Sequence, residues 1–486
     1  MTNTLFKDPV FWTLALFLIP LIVRIPIAVA LGMATITVVW FWDMGYQMLS
    51  YSFYAGIAKV PLLAIPFFIL AGIIMEKVGI ASRIVKLIKE MVGDVTGGLA
   101  IATVIVAAFW GAVSGSGPAT VAALGLILIP SMAQAGYDKA FATAVVSVAS
   151  GLAIIIPPSI SFIVYGDIME QSVGTLFAAG IVPGIIVAGF LCLAVYFYSR
   201  RNGFRGEPRG DAKTLLRALA DAFWGLMTPV IILGGIYGGI FTPTEAAAVA
   251  VFYGLFVGLV IYRTLTLRVL YEILSETVVS TAVVMLVVAC AGLYSWLGAT
   301  VGIIDKIAGL LLGVSNNPSV ILLMINIILL FAGMLLDANS IMYIFLPILI
   351  PIIRTLGWDP IWFGVMMTIN LAIGQVTPPV AVNLFVGARI SGLTMEQIAR
   401  PAIGLNIVVL VALYLFNAKY AFLVNAVRIA LAGLLFTGLF GALFAFSGAM
   451  LSMFIMILLK KTGKFNIIGV SMGGGTAHNF AQVSLE

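Results

Sequence analysis

Histidine and cysteine are almost missing from this chain of 486 residues: the only histidine is His478, and the only cysteines are Cys192 and Cys290. One histidine excludes a histidine-based metal cluster or proton relay, because both need imidazoles in sets. Both cysteines lie inside apolar runs, where a thiol packs as a small hydrophobe, so neither a disulfide framework nor a metal site is indicated. Charge is scarce too: 9% of residues are charged, against about a quarter in ordinary soluble domains. There is no glycine-rich phosphate loop ending in Lys-Ser or Lys-Thr, and no large polar portion to house an ATPase. Any driving force must therefore come from an ion gradient or a partner.

What fills the chain instead is apolar sequence, 62% of residues, with a mean hydropathy of +1.19. Runs such as Ile181 to Tyr198, Ala222 to Phe241, Ala246 to Tyr262, Val278 to Leu297 and Ile321 to Leu336 are long enough, or nearly so, to cross a bilayer, which takes about 20 residues. Hydrocarbon leaves backbone groups no water to bond, so only helices or a closed barrel can span it. The runs are continuous rather than alternating, which excludes a barrel. A polytopic all-α membrane protein follows. The net charge of +6 is scattered between the runs, which suits positive-inside topology and not a nucleic-acid surface. Its densest cluster, residues 199–217, carries Arg200, Arg201, Arg205, Arg209, Lys213 and Arg217 and belongs in the cytoplasm. The N-terminal run has no small-residue cleavage site and continues into further spans, unlike a signal peptide.

Forty residues, Ile127 to Gly166, recur without a gap as Ile348 to Gly387, 221 positions later. Pro130 falls on Pro351, Gly136 on Gly357, Asp138 on Asp359, and Pro157-Pro158 on Pro378-Pro379. Matching interruptions in two halves are the best sequence pointer to a transporter's binding site. Upstream of each copy a polar turn breaks apolar helix: Ser114-Gly115-Ser116-Gly117-Pro118 in the first, Asp337-Ala338-Asn339-Ser340 in the second, with Ser116 opposite Asp337. The flanking apolar stretches 99–113, 119–133 and 340–353 are half to three-quarters of a crossing, which predicts re-entrant hairpins. A proline pair removes two amide donors and frees carbonyls one turn earlier, near Ala153 and Ile154. Such carbonyls with hydroxyls suit a hard cation, and half-helix N-termini suit an anion. Asp337, a carboxylate among apolar residues, is a functional candidate by default.

The domain boundaries expected are N-terminal scaffold helices over 1–60, a first repeat over 61–200, a basic loop and central scaffold over 201–281, a second repeat over 282–416, and a membrane tail over 417–486. Residues 11–41 read as two helices, or one span plus a re-entrant piece. Val60 to Met75 reads as a helix bent by Pro66. Residues 78–94 form an amphipathic helix with Arg83, Lys86 and Lys89 on its polar face, suited to the headgroup region or to a connector. Glu245 caps a helix together with Thr242 or Thr244, Arg24 snorkels from a helix end, and Asp305 pairs with Lys306.

The segments PFFILAGIIMEKVGIASRIV, SGSGPATVAA, ILIPSMAQAGYDKAFATAV, IIPPSISFIVYG, FTPTEAAAVAVFY, GMLLDANSIMYIFLPILIPI and IGQVTPPVAVNLFV resemble the large membrane subunit, of DctM type, of the TRAP (tripartite ATP-independent periplasmic) transporters. The resemblance covers about residues 5–416. It implies a sodium-driven importer of organic acids (dicarboxylates, sugar acids or sialic acid) in the bacterial inner membrane, not an enzyme. It further implies a periplasmic substrate-binding protein, a small membrane subunit, inverted repeats and elevator-type movement, with Na+ as the coupling ion and no other cofactor. Carried over, Ser114, Ser116 and carbonyls of Gly151 and Ile154 would hold one sodium ion; Asp337, Ser340, Gly374 and Thr377 would hold another. Gly115, Thr120, Pro158, Ser159, Pro378 and Asn383 would line the substrate. SGSGPAT stands where many members have SGSSVAD, so this tip lacks an acidic residue. The alternative reading is a stand-alone sodium–anion symporter. Residues 417–486 resemble a fragment of the Gx transporter family.

Overall fold

The computed structural model describes residues 8–405 apart from 24, 93, 205 and 207–210, so Arg24 and the tail over 417–486 lie outside the described residues. No strand occurs among the described residues, and eight helices are long and apolar enough to cross a membrane. The all-α membrane class is borne out.

The N-terminal stretch is two helices, Pro9–Ile22 and Ile27–Phe41, separated where Pro26 leaves its predecessor no helical option. A short helix, Gln47–Ile57, buries none of its side chains. Val60 to Met75 is not one continuous α-helix. A 3-10 turn, Val60–Leu63, leads into Ala64–Lys77, so Pro66 falls in the first turn, where a missing amide costs nothing. Ile27–Phe41, Gln47–Ile57 and Ala64–Lys77 pack along the helix Leu267–Thr300, whose Gly292 lets it approach Gly56 at backbone distance.

The amphipathic helix Ile80–Val92 lays its apolar side, Ile80, Ile84 and Leu87, against protein, the helices Ala212–Tyr237 and Gly98–Ser114. Gly225 admits Ile80 there. It is a connector whose apolar face is already covered. Arg83 stacks its guanidinium 3.7 Å from the ring centre of Tyr262. Asp211 caps Ala212–Tyr237, and the Thr214 hydroxyl and amide hold its carboxyl below the usual carboxylate range. Thr242 and Glu245 form a reciprocal capping box ahead of Pro243–Phe256. Lys306 pairs with Asp8 at 3.6 Å rather than with its neighbour Asp305.

The two copies of the repeat have the same local structure. The first hairpin is Gly98–Ser114 with Gly117–Gln134, and the second is Pro318–Leu335 with Ala338–Thr355. Their arms, 17 or 18 residues each, run one or two residues past each end of the apolar stretches and take in Ser114, Gln134, Asn339 and Thr355, with Pro130, Pro347 and Pro351 inside the helices. Asp138 and Asp359 each cap the following helix by accepting from the amide three residues on. Those helices, Lys139–Ala149 continued by the 3-10 turn Ser150–Ile154, and Pro360–Gly374, both stop ahead of a cis Pro-Pro bond. They resume as Ile160–Met169 and Val382–Ser391. These are the two broken helices.

Candidate functional site

Each hairpin tip is seated on the break of its own repeat. In the first, the Ile160 amide donates to the Gly115 carbonyl at 3.3 Å. Gly115 is left-handed, and a Cβ there would stand 3.1 Å from that same amide. In the second, the amides of Val380 and Ala381 both donate to the Met334 carbonyl, at 3.0 and 3.2 Å. One turn back, the hairpin touches the break backbone to backbone. A Cβ at Gly111 would stand 2.6 Å from the Ala153 Cα, and one at Gly374 2.6 Å from the Gly333 Cα. Ala153 and Gly374 are equivalent under the 221 offset. Small residues are needed at both positions because main chain, which cannot swing aside, is the neighbour.

The broken helices also embrace each other. Val382–Ser391 lies on Lys139–Ala149 and on the second arm of the first hairpin; Ile160–Met169 lies on Pro360–Gly374 and on the second arm of the second. Contacts that stay the same when the two halves are exchanged are the mark of a two-fold relation. Cross-repeat hydrogen bonds run from Ser161 Oγ to Asn339 Oδ1 at 3.0 Å, from Tyr165 to the Pro360 carbonyl at 2.6 Å, and from Asn383 Nδ2 to the Ser147 carbonyl at 3.3 Å.

The tips themselves are unlike. In the first, Ser114 Oγ is 2.7 Å from Thr120 Oγ1, donates to the Ser116 carbonyl at 3.3 Å, and accepts from the Ser116 amide at 3.4 Å. Ser116 occupies the N-cap of Gly117–Gln134, yet its side chain makes no capping bond. In the second, Asp337 caps Ala338–Thr355. One carboxylate oxygen accepts from the amides of Asn339 and Ser340, both at 3.1 Å, and the other accepts from the Ser340 hydroxyl. The carboxylate thus completes its own turn, and its negative charge rests on a helix N-terminus.

Of the first sodium set, Ser114 and Ser116 share the tip. The Ile154 carbonyl lies in the break beside it and accepts from Ser159 Oγ at 2.7 Å, whereas Gly151 faces Ala372 of the other repeat. Of the second set, Asp337 and Ser340 are bonded to each other, Gly374 supports the hairpin at Gly333, and Thr377 Oγ1 turns back to the Ile373 carbonyl at 2.7 Å. Of the substrate set, Thr120 and Ser159 spend their hydroxyls locally, Pro158 lies against Gly115 of the first tip, Asn383 faces Gly117, and Pro378 stands in the cis bond of the second break. The sequence reading passed over Gln375. It is buried in the second break between Gly374 and Thr377, its backbone carbonyl accepting from the Asn383 amide at 3.1 Å. A polar residue within the break was the available signal.

Residues 14–422 match the family model described as the tripartite ATP-independent periplasmic transporter, DctM component. The chain belongs to this family. It is a membrane transport permease and not an enzyme. Among its relatives, the isethionate TRAP transporter permease protein DctMQ of Oleidesulfovibrio alaskensis is 41% identical over 83% of this chain, which spans 64% of that relative's length. The C4-dicarboxylate TRAP transporter large permease protein DctM of Pseudomonas aeruginosa is 39% identical, over 79% of this chain and 90% of the relative. The sialic acid TRAP transporter large permease protein SiaM of Vibrio cholerae is 37% identical, over 76% and 87%. The crystal structure of the Alcanivorax borkumensis YdaH transporter shares the fold at a TM-score of 0.53 and 16% identity, over 78% of this chain and 87% of that one. Residues 393–486 match a second model, heptaprenyl diphosphate synthase component I. Large permeases of the TRAP family work with a small membrane subunit and a periplasmic binding protein, and they carry solutes without ATP.

Proposed function

We propose that this TRAP permease imports an organic acid, handed over by a periplasmic binding protein, at the expense of a sodium gradient. The observation that carries the reading is the convergence of two hairpin tips on two broken helices, with hydroxyl and carbonyl oxygens at one tip and a carboxylate at the other. Hard cations seek such oxygens, and polar groups at membrane depth are kept for function. Relatives named for isethionate, C4-dicarboxylates and sialic acid favour an organic anion as cargo. The reciprocal packing of the repeats favours an inverted pair that moves as one body past the scaffold built on Leu267–Thr300.

The test is uptake into proteoliposomes holding this chain and its small subunit, with the binding protein outside. Uptake of a labelled organic acid is expected only with an inward sodium gradient and with the binding protein present. Uptake that survives collapse of the sodium gradient would refute the coupling ion. Uptake without the binding protein would favour a stand-alone symporter.

A further inference from the structure

The first hairpin tip closes on a pair of side chains with unused bonding capacity. A Cβ at Gly117 would stand 2.6 Å from Gln375 Oε1, 2.9 Å from Asn383 Oδ1 and 3.0 Å from Asn383 Nδ2. Gln375 is 2% exposed and Asn383 0%, and neither carboxamide oxygen has a hydrogen-bond partner among the described residues. What faces them is the α-carbon of a glycine, at best a weak donor. A buried acceptor left unpaired costs free energy that an apolar side chain would not, so two converging on one point need an explanation.

The same point is the start of Gly117–Gln134, an 18-residue helix whose N-cap side chain bonds none of its amides. Pro118 has no N–H and the Thr120 amide bonds the Ser116 carbonyl. The donors at this end are therefore the amides of Gly117 and Ala119, which carry the positive end of the helix dipole and suit an anion. Amide donors from one side and carboxamide acceptors from the other make an amphoteric receptor. A bare carboxylate satisfies only the first half. A group that offers a negative oxygen and an O–H or N–H beside it satisfies both.

We propose that Gln375 and Asn383 form the donor-accepting half of an anion subsite whose other half is the amide end of Gly117–Gln134. The transported solute is then an organic anion with a hydroxyl or amino group next to its charged group. Gly117 is glycine so that the tip can lie on the two oxygens between loads. The inference rests on the transport reading above and adds the substrate class.

The test uses matched pairs that differ by one hydroxyl: malate against succinate, and isethionate against ethanesulfonate. Uptake is measured with the complete three-component system under a sodium gradient. In the native protein the hydroxylated member of a pair is expected to be carried roughly tenfold faster, the worth of one or two hydrogen bonds to buried acceptors. Gln375→Met and Asn383→Leu should each cut that ratio several-fold. Because the binding protein is unchanged, its own preference cancels between native and variant. Equal rates for both members in the native protein, or a ratio untouched by both substitutions while uptake persists, would overturn the proposal. Absence of sodium-driven uptake of every organic acid that the binding protein delivers would instead overturn the transport reading on which it rests.

Discussion

Gly151 and Ala372 lie 221 positions apart in the chain and touch in space: a Cβ at Gly151 would stand 3.4 Å from the Ala372 carbonyl oxygen. They occupy equivalent places in the two repeats. This contact lies where the two halves of the repeat meet. Hairpins and broken helices are disposed around it in pairs. Five expectations follow from that arrangement.

Gly374→Ala and Gly111→Ala put a methyl group 2.6 Å from a Cα of the facing element, and main chain cannot rotate out of the way. Each should lower stability by about 1–3 kcal/mol, read as a drop in thermal unfolding temperature of the purified protein. Gly309→Ala and Gly313→Ala have open space and serve as controls. Equal melting of test and control variants would contradict the tight seat of hairpin on break.

Asp337 has two tasks on this account, capping its helix and offering a charge. Asn caps as well as Asp, so Asp337→Asn should keep stability, whereas Asp337→Ala should lose about 1 kcal/mol. The sodium concentration for half-maximal uptake should nonetheless rise several-fold in the Asn variant. An unchanged sodium dependence would leave capping as its whole role.

Ser114 and Ser116 should separate cleanly. Ser114→Ala strands the buried Thr120 hydroxyl, bonded now at 2.7 Å, and should cost about 1–3 kcal/mol. Ser116→Ala removes a hydroxyl that caps nothing and should stay within about 0.5 kcal/mol in stability. If it is a sodium ligand, only the ion dependence of uptake will move.

Lys59 reaches Asp167 at 2.9 Å, tying the segment after Gln47–Ile57 to the second half of the first broken helix. The Asp167 side chain is 4% exposed and that of Lys59 43%. Removing the lysine strands a buried carboxylate, whereas removing the carboxylate leaves an ammonium that can still reach water. Lys59→Met should therefore destabilise by about 1–3 kcal/mol and Asp167→Asn by less. The reverse order in a denaturation series would show that the carboxylate has another partner.

The Ser161–Asn339 bond joins one broken helix to the opposite hairpin at 3.0 Å. Ser161→Ala and Asn339→Ala should each destabilise, and the double variant should cost less than their sum, because they share one interaction. Full additivity in thermal melts would mean that the bond is not maintained in solution.

Much of this architecture was legible because its causes are local. Hydrocarbon tolerates only satisfied backbone, so a chain with few charges and long apolar runs has to be a helical membrane protein. Proline and glycine act on their own main chain, so the paired breaks at Pro157-Pro158 and Pro378-Pro379, the turns at Gly136 and Gly357, and the caps at Asp138 and Asp359 stand where the 221 offset puts them. Proline was also misleading for the same reason. Pro66 stands in the first turn of Ala64–Lys77, not within a helix starting at Val60, because its effect depends on its place within the turn.

Partnership across the fold was not legible. Nothing in the chain says that the Asp337 carboxylate is used by its own turn, that Lys306 reaches back to Asp8, or that Ile80–Val92 hides its apolar face on Ala212–Tyr237. Gln375 looked like any polar residue in a loop until folding set its oxygen beside that of Asn383 and over Gly117. The sequence by itself determined the solvent, the helices and where they break, because those depend on each residue and its near neighbours. Only the tertiary structure decided which polar atoms find partners and which are left for a ligand, because that depends on distances between residues far apart in the chain.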